Sequence, residues 1–141
     1  MNNYGVCNLV EQNLFAFVIG KTFDLERAKA AIRLLTRHAL RITNLRITGM
    51  RGAWDDVQRE DRLLGVGLTG MGDLMDATGA SEVQLGEWLR ALRDEVHRSA
   101  TEYAAHLGIN VPLLMTTIKP SGSLSLLPGV SSGVHAPYSP H

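Results

Sequence analysis

Between Ser81 and Gly108 the sequence marks both ends of a helix and gives it a face to bury, and no other stretch restricts the fold so strongly. Ser81-Glu82-Val83-Gln84 has the form of a capping box, whose serine and glutamine side chains take up N–H groups that a first turn leaves unpaired. Leu85, Trp88, Leu89, Leu92, Val96, Tyr103 and Leu107 keep one side apolar. Gly108 closes the helix, because glycine enters the left-handed conformation of a helix end without a steric penalty. At 1.5 Å per residue the element spans about 40 Å. Arg90 and Asp94 can pair across one turn, and His97 and His106 are not spaced as a metal-binding pair.

The rest of the chain alternates between strand-like and helical patterns. Asp24 to Thr43 predicts a second helix, capped by Asp24, with Leu25, Ala28, Ile32, Leu35, Ala39 and Ile42 at steps of three and four. Lys29, Arg33, Arg37 and Arg41 form a basic stripe on it, read here as a solvated face whose arginines also suit the C-terminal dipole. Tyr4 to Leu9, Leu63 to Leu68 and Met115 to Ile118 read as short strands. Gly70 to Ala77 reads as a short helix, and Arg51 to Arg62 as an exposed connection containing another. Alternation of this kind indicates an α/β fold.

Composition narrows the function by exclusion. The 141 residues suffice for one domain with a real core, and 14 basic residues balance 14 acidic ones. Bulk charge therefore points to neither nucleic acid nor a membrane surface. No apolar run approaches the roughly 20 residues of a membrane span, and no signal-peptide pattern opens the chain, so it reads as soluble and cytoplasmic. A single cysteine, Cys7, rules out an internal disulfide and a cysteine-based metal cluster.

Two glycine-containing stretches invite a phosphate-binding reading. Gly65-Val66-Gly67-Leu68-Thr69-Gly70 matches G-x-G-x-x-G in form, but Gln58 to Arg62 stands where a dinucleotide fold needs an apolar strand. Glycines that permit close packing are the simpler account. The second stretch is stronger. Met115 to Ile118 is halted by Lys119-Pro120, and Ser121, Gly122 and Ser123 lead into Leu124, Ser125, Leu126 and Leu127, which offer an apolar side for a short helix. A strand that turns into a helix start leaves N–H groups directed outward at a positive dipole end, where an anion can sit. By itself the turn is better explained as an ordinary cap.

The continuation shifts the balance. The run TTIKPSGSLSLLPGVSSGVH closely resembles the substrate phosphate loop of adenosylcobalamin-dependent (class II) ribonucleotide reductases, particularly the triphosphate-reducing branch. CNLVEQNL resembles the motif carrying one of their two substrate-reducing cysteines, and RLLGVGLTGMGDLM resembles a structural stretch of their barrel. The resemblance implies part of a ten-stranded α/β barrel, incomplete here, with residues 1–141 as one partial domain. It implies that Cys7 is one reducing thiol and that Pro120, Ser121, Gly122, Ser123, Leu124 and Ser125 hold the substrate phosphates. It implies a ribonucleotide substrate, adenosylcobalamin as the cofactor of the whole enzyme, a dithiol reductant such as thioredoxin, and no bound metal beyond the cofactor. The family's radical cysteine, its glutamate and the second reducing cysteine are absent, and Glu11 follows the wrong cysteine to replace that glutamate. Tyr4 begins a strand without a lead-in and Tyr138-Ser139-Pro140-His141 stops within a turn, so a fragment lacking the N-terminal part of the enzyme is expected. Cys7 is expected to be partly buried, on a strand facing the Ser121–Ser125 loop. The competing reading is a non-catalytic α/β module that uses the same loop to bind phosphate or nucleotide.

Overall fold

The computed structural model describes residues 3–46, 49, 52–119 and 121–134. Two strands, β1 (Asn8–Asn13) and β4 (Leu64–Thr69), pair in parallel with Leu9 opposite Gly65 and Glu11 opposite Gly67. Leu114 to Thr117 runs along the other side of β4. Leu64 N–H donates to Leu114 O and Val66 N–H to Met115 O, while Thr117 N–H donates to Val66 O. The third strand expected at Met115–Ile118 is thereby reduced to one parallel bridge, Val66 with Thr116. Parallel neighbours require crossovers. The first runs through α1 (Leu25–Ile42) and α2 (Gly52–Asp61), and the second through α3 (Met71–Thr78) and α4 (Glu82–Leu107). A two-residue hairpin that the sequence did not announce, β2 (Val18–Ile19) with β3 (Thr22–Phe23), turns at Gly20 before α1.

Both long helices form as their caps dictate. The Ser81 hydroxyl accepts from Gln84 N–H and Gly108 closes α4 at φ +66°, while the Asp24 carboxylate accepts from Arg27 N–H at the start of α1. The first strand starts four residues later than expected. Tyr4 has φ +70°, which no strand accommodates, and the ladder begins where Asn8 N–H donates to Leu63 O. The core lies between the sheet and the helices, where Leu14, Ile32, Val66, Leu74, Leu92 and Val96 are almost fully buried. The stretch before β4 is less exposed than its polarity suggests. Gln58, Asp61 and Arg62 are all buried, and the Arg62 guanidinium donates to Thr43 Oγ1 and Asn44 Oδ1 at 2.8 Å each. No helix of the described residues is long and apolar enough to cross a membrane.

The basic stripe on α1 is not simply a solvated face. Arg33 donates to the Glu95 carboxylate of α4 at 2.6 Å, Arg98 donates to the same carboxylate at 2.7 Å, and Arg37 lies over the Tyr103 ring. Burial alone would raise the pKa of Glu95, but the hydrogen bonds from Arg98 and Arg33 outweigh it and hold the group below its ordinary value. A carboxylate with a depressed folded pKa contributes stability above its unfolded pKa, and that stability is lost as pH falls through the folded value. Glu95→Gln is therefore expected to cost about 1–2 kcal/mol at pH 7, a moderate figure because both guanidinium groups stay partly in water. Urea midpoints measured from pH 7 down to pH 3 should converge for parent and variant; a constant gap would contradict this account.

Candidate functional site

Side chains alternate across a strand, so β1 presents Leu9 and Glu11 on one face, and Val10 and Gln12 on the other. Gln12 faces the helices, donating from Nε2 to the carbonyl of Ala28 in α1. The opposite face has room for contacts because β4 places Gly65 and Gly67 there. A Cβ on Gly65 would meet Leu9 Cδ2 at 2.4 Å, Cys7 Sγ at 3.1 Å and Thr117 Cγ2 at 3.2 Å. A Cβ on Gly67 would approach Glu11 Cγ and Thr117 Cγ2 at 3.6 and 3.7 Å. The first glycine of the G-x-G-x-x-G match is thus a spacer, as the packing account supposed, whereas a side chain at Gly67 would meet only ordinary van der Waals contacts.

Cys7 is exposed and lies one residue ahead of β1, which corrects the expectation of a partly buried thiol within a strand. The strand starts late because of the left-handed turn at Tyr4. The sulfur nevertheless stands beside Gly65, as does Thr117 Cγ2, and partial burial pushes the thiol pKa up. On the same face the Glu11 side chain, only 7 % exposed, forms an ion pair with Lys119. Its Oε2 is buried without a hydrogen-bond partner among the described residues. One face therefore carries the thiol, a buried carboxylate and the lysine that leads into the serine-glycine loop.

Of the loop residues singled out from the sequence, Pro120 lies outside the described residues, as do His135 and the Tyr138–His141 end. Ser121 to Ser125 enter a 3-10 turn, Gly122–Leu126, rather than an α-helix. Gly122 has φ +60°, and a Cβ there would meet nothing within 4 Å among the described residues. Ser121 N–H donates to Ser132 O at 2.7 Å, so it is not one of the converging donors expected from the sequence. Gly122 and Ser123 N–H groups open the turn, where a 3-10 segment has no acceptor of its own to give them. The Ser121 hydroxyl is buried without a partner among the described residues, and Ser125 Oγ donates to Gly122 O at 2.8 Å. Leu124, Leu126 and Leu127 are exposed, so the apolar side expected for this turn is not covered by the described residues.

Two participants escaped the sequence reading. Asp73, in the first turn of α3, accepts through Oδ2 from both Ser131 N–H (2.7 Å) and Ser131 Oγ (2.6 Å). Glu11 was noted only to be set aside, although its place four residues after Cys7 on an alternating strand puts both on one face. Among the described residues no group of three His, Cys, Asp or Glu could hold a metal ion.

No protein-family model matches the chain. It is 35% identical over 143 aligned residues to a Mycobacterium phage D29 protein named as an adenosylcobalamin-dependent ribonucleoside-triphosphate reductase, covering 94% of this chain and 20% of that protein. A Lactobacillus gasseri protein of the same name is 28% identical over 160 residues, again 94% of this chain and 20% of the relative. A Euglena gracilis protein of that name is 28% identical over 85 residues, 60% of this chain and 11% of the relative. The fold matches the crystal structure of a B12-dependent (class II) ribonucleotide reductase with a TM-score of 0.76 at 22% identity, over 96% of this chain and 21% of that one. The chain spans about one fifth of the length of the two relatives it matches over most of its own length.

Proposed function

We propose that this chain, related in sequence to the adenosylcobalamin-dependent ribonucleoside-triphosphate reductases and sharing the fold of a class II reductase segment, forms part of one partial catalytic domain. It supplies one reducing cysteine, Cys7, and the substrate phosphate loop, Ser121 to Ser125. The observation that carries this reading is the shared sheet face. Cys7 Sγ and Thr117 Cγ2 both border Gly65, and two residues beyond Thr117 the Lys119 side chain returns to Glu11 of β1. A substrate whose phosphates rest at Gly122 and Ser123 would be anchored at the end of the segment that passes beside the thiol. Binding energy from the phosphate end then positions a sugar for reaction.

The reaction is reduction of a ribonucleotide to its 2′-deoxyribonucleotide. The C2′–O bond breaks and the oxygen leaves as water. Two thiols give up two electrons and two protons, closing a disulfide, and a C2′–H bond replaces the hydroxyl. Cys7 provides one of those thiols and the rest of the enzyme the other. A dithiol reductant such as thioredoxin would restore the pair, in a reducing cytoplasmic compartment. Adenosylcobalamin would start the radical chemistry in the whole enzyme. A groove in this segment, about 450 Å³ and lined largely by apolar side chains such as Leu89 and Leu92, is sized for a small ligand and not for a corrin.

The test uses the full-length enzyme carrying this segment, with nucleoside-triphosphate binding measured at matched fold stability. Gly122→Val should weaken binding about tenfold or more, because φ +60° resists a β-branched residue and the side chain would crowd a phosphate resting on the turn. Ser123→Ala should weaken it only a few-fold, about one hydrogen bond, since the backbone supplies the main contacts. Unchanged binding in Gly122→Val would remove the loop from the phosphate site.

A further inference from the structure

The phosphate-loop reading leaves unexplained how a five-residue turn with exposed leucines keeps one shape. Its ends are both tied to the same short peptide. Ser121 N–H donates to Ser132 O at 2.7 Å, and Val130 N–H donates to Ser125 O at 3.0 Å. Between those two ties sits Ser131, 1 % exposed. Its carbonyl accepts from Thr69 Oγ1 at 2.5 Å and from Gly70 N–H at 2.9 Å, and its own N–H and hydroxyl donate to Asp73 Oδ2. Four hydrogen bonds thus fix one residue to the junction of β4 and α3. That junction is anchored in the core, where Met71 and Leu74 of α3 are buried.

We infer that Asp73 is a positioning residue for the phosphate loop, acting through Ser131 to set the separation of Ser121 from Ser125. It does not touch the substrate. A carboxylate suits the task because one charged oxygen accepts two short hydrogen bonds at once, each stronger than a neutral pair. The inference rests on the reading of Ser121–Ser125 as the phosphate loop. A purely structural role for Asp73 would alter fold stability and all ligand binding together. A positioning role alters the part of affinity that depends on phosphate.

The experiment compares Asp73→Ala, Asp73→Asn and Ser131→Ala in the full-length enzyme, using a ribonucleoside triphosphate and the corresponding unphosphorylated ribonucleoside as probes. Asp73→Ala should raise KM for the triphosphate about tenfold with kcat changed less than about twofold, and leave nucleoside binding alone. Asp73→Asn keeps an acceptor oxygen and should stay within about threefold of the parent. Ser131→Ala removes only the hydroxyl bond, should raise KM about threefold, and decides the matter if Asp73→Ala does not fold. An unchanged triphosphate KM in the variants that fold, or equal losses for both probes, overturns the inference. Gly122→Val run alongside separates the two failures. If it weakens triphosphate binding while the Asp73 and Ser131 variants do not, the clamp falls and the loop stands. If it has no effect, the loop reading falls and the clamp with it.

Discussion

Replacing Cys7 with serine in the full-length enzyme is expected to lower ribonucleotide reduction by at least about a thousandfold, about 4 kcal/mol in barrier, while nucleotide binding holds. A hydroxyl can neither be oxidised to a disulfide nor recharged by a dithiol, so no neighbouring group recovers the lost step. The substitution is gentle on the fold. Cys7 is exposed, lies outside the ladder of β1, and its sulfur stands beside Gly65. Turnover at the parental rate with a dithiol would exclude Cys7 from the redox pair. The same contact sets a pH dependence. Burial raises the thiol pKa, so less thiolate is present at any pH below it, and thiolate is the reactive form. Alkylation of Cys7 by iodoacetamide should thus be slower at pH 7 than for an unhindered cysteine and rise with pH to a midpoint above the ordinary value. A midpoint below that value would contradict the assignment of burial as the cause.

Gly70→Val should destabilise the chain by about 3–5 kcal/mol, a large share of a small domain's stability. Gly70 caps α3 at φ +73°, where a side chain carries a steric cost of about 1–2 kcal/mol. A Cβ there would stand 2.6 Å from Asn13 Oδ1 and 3.3 Å from both Phe15 Cβ and Phe15 N. Asn13 Oδ1 already accepts from Phe15 N–H at 3.0 Å, so relief of the clash breaks that bond and shifts the exit from β1. Gly70 N–H also holds Ser131 O, which carries the disturbance to the loop. Gly79→Ala is the control. It too has positive φ, +69°, but nothing lies within 4 Å of its Cβ position, so it should cost only about 1 kcal/mol. Chemical denaturation of Gly79→Ala beside the matching Gly70→Ala isolates the contact. Equal losses for Gly70→Ala and Gly79→Ala would show that φ alone requires glycine at position 70.

Local signals were legible in the sequence wherever one turn of chain contains both the question and the answer. Ser81 and Gly108 bound α4 because capping is decided within four residues, and Asp24 begins α1 for the same reason. The alternation of strands and helices was equally visible, and the fold comparison agrees with an α/β segment. Tertiary structure decided what depends on partners far along the chain. Glu95 and Arg33 are 62 residues apart, so no periodicity could show that the basic stripe bonds a buried carboxylate instead of facing only water. Asp73 and Ser131 are 58 residues apart, and Asp73 looks like an ordinary first-turn acid until β4 and the loop meet. Gly65 reads in the sequence as a glycine that permits close packing, but that Leu9, Cys7 and Thr117 are what it admits is settled only once the strands are side by side. Hydrogen-bond caps and apolar periods are properties of short-range geometry, whereas a shared face exists only after parallel strands have closed their long crossovers.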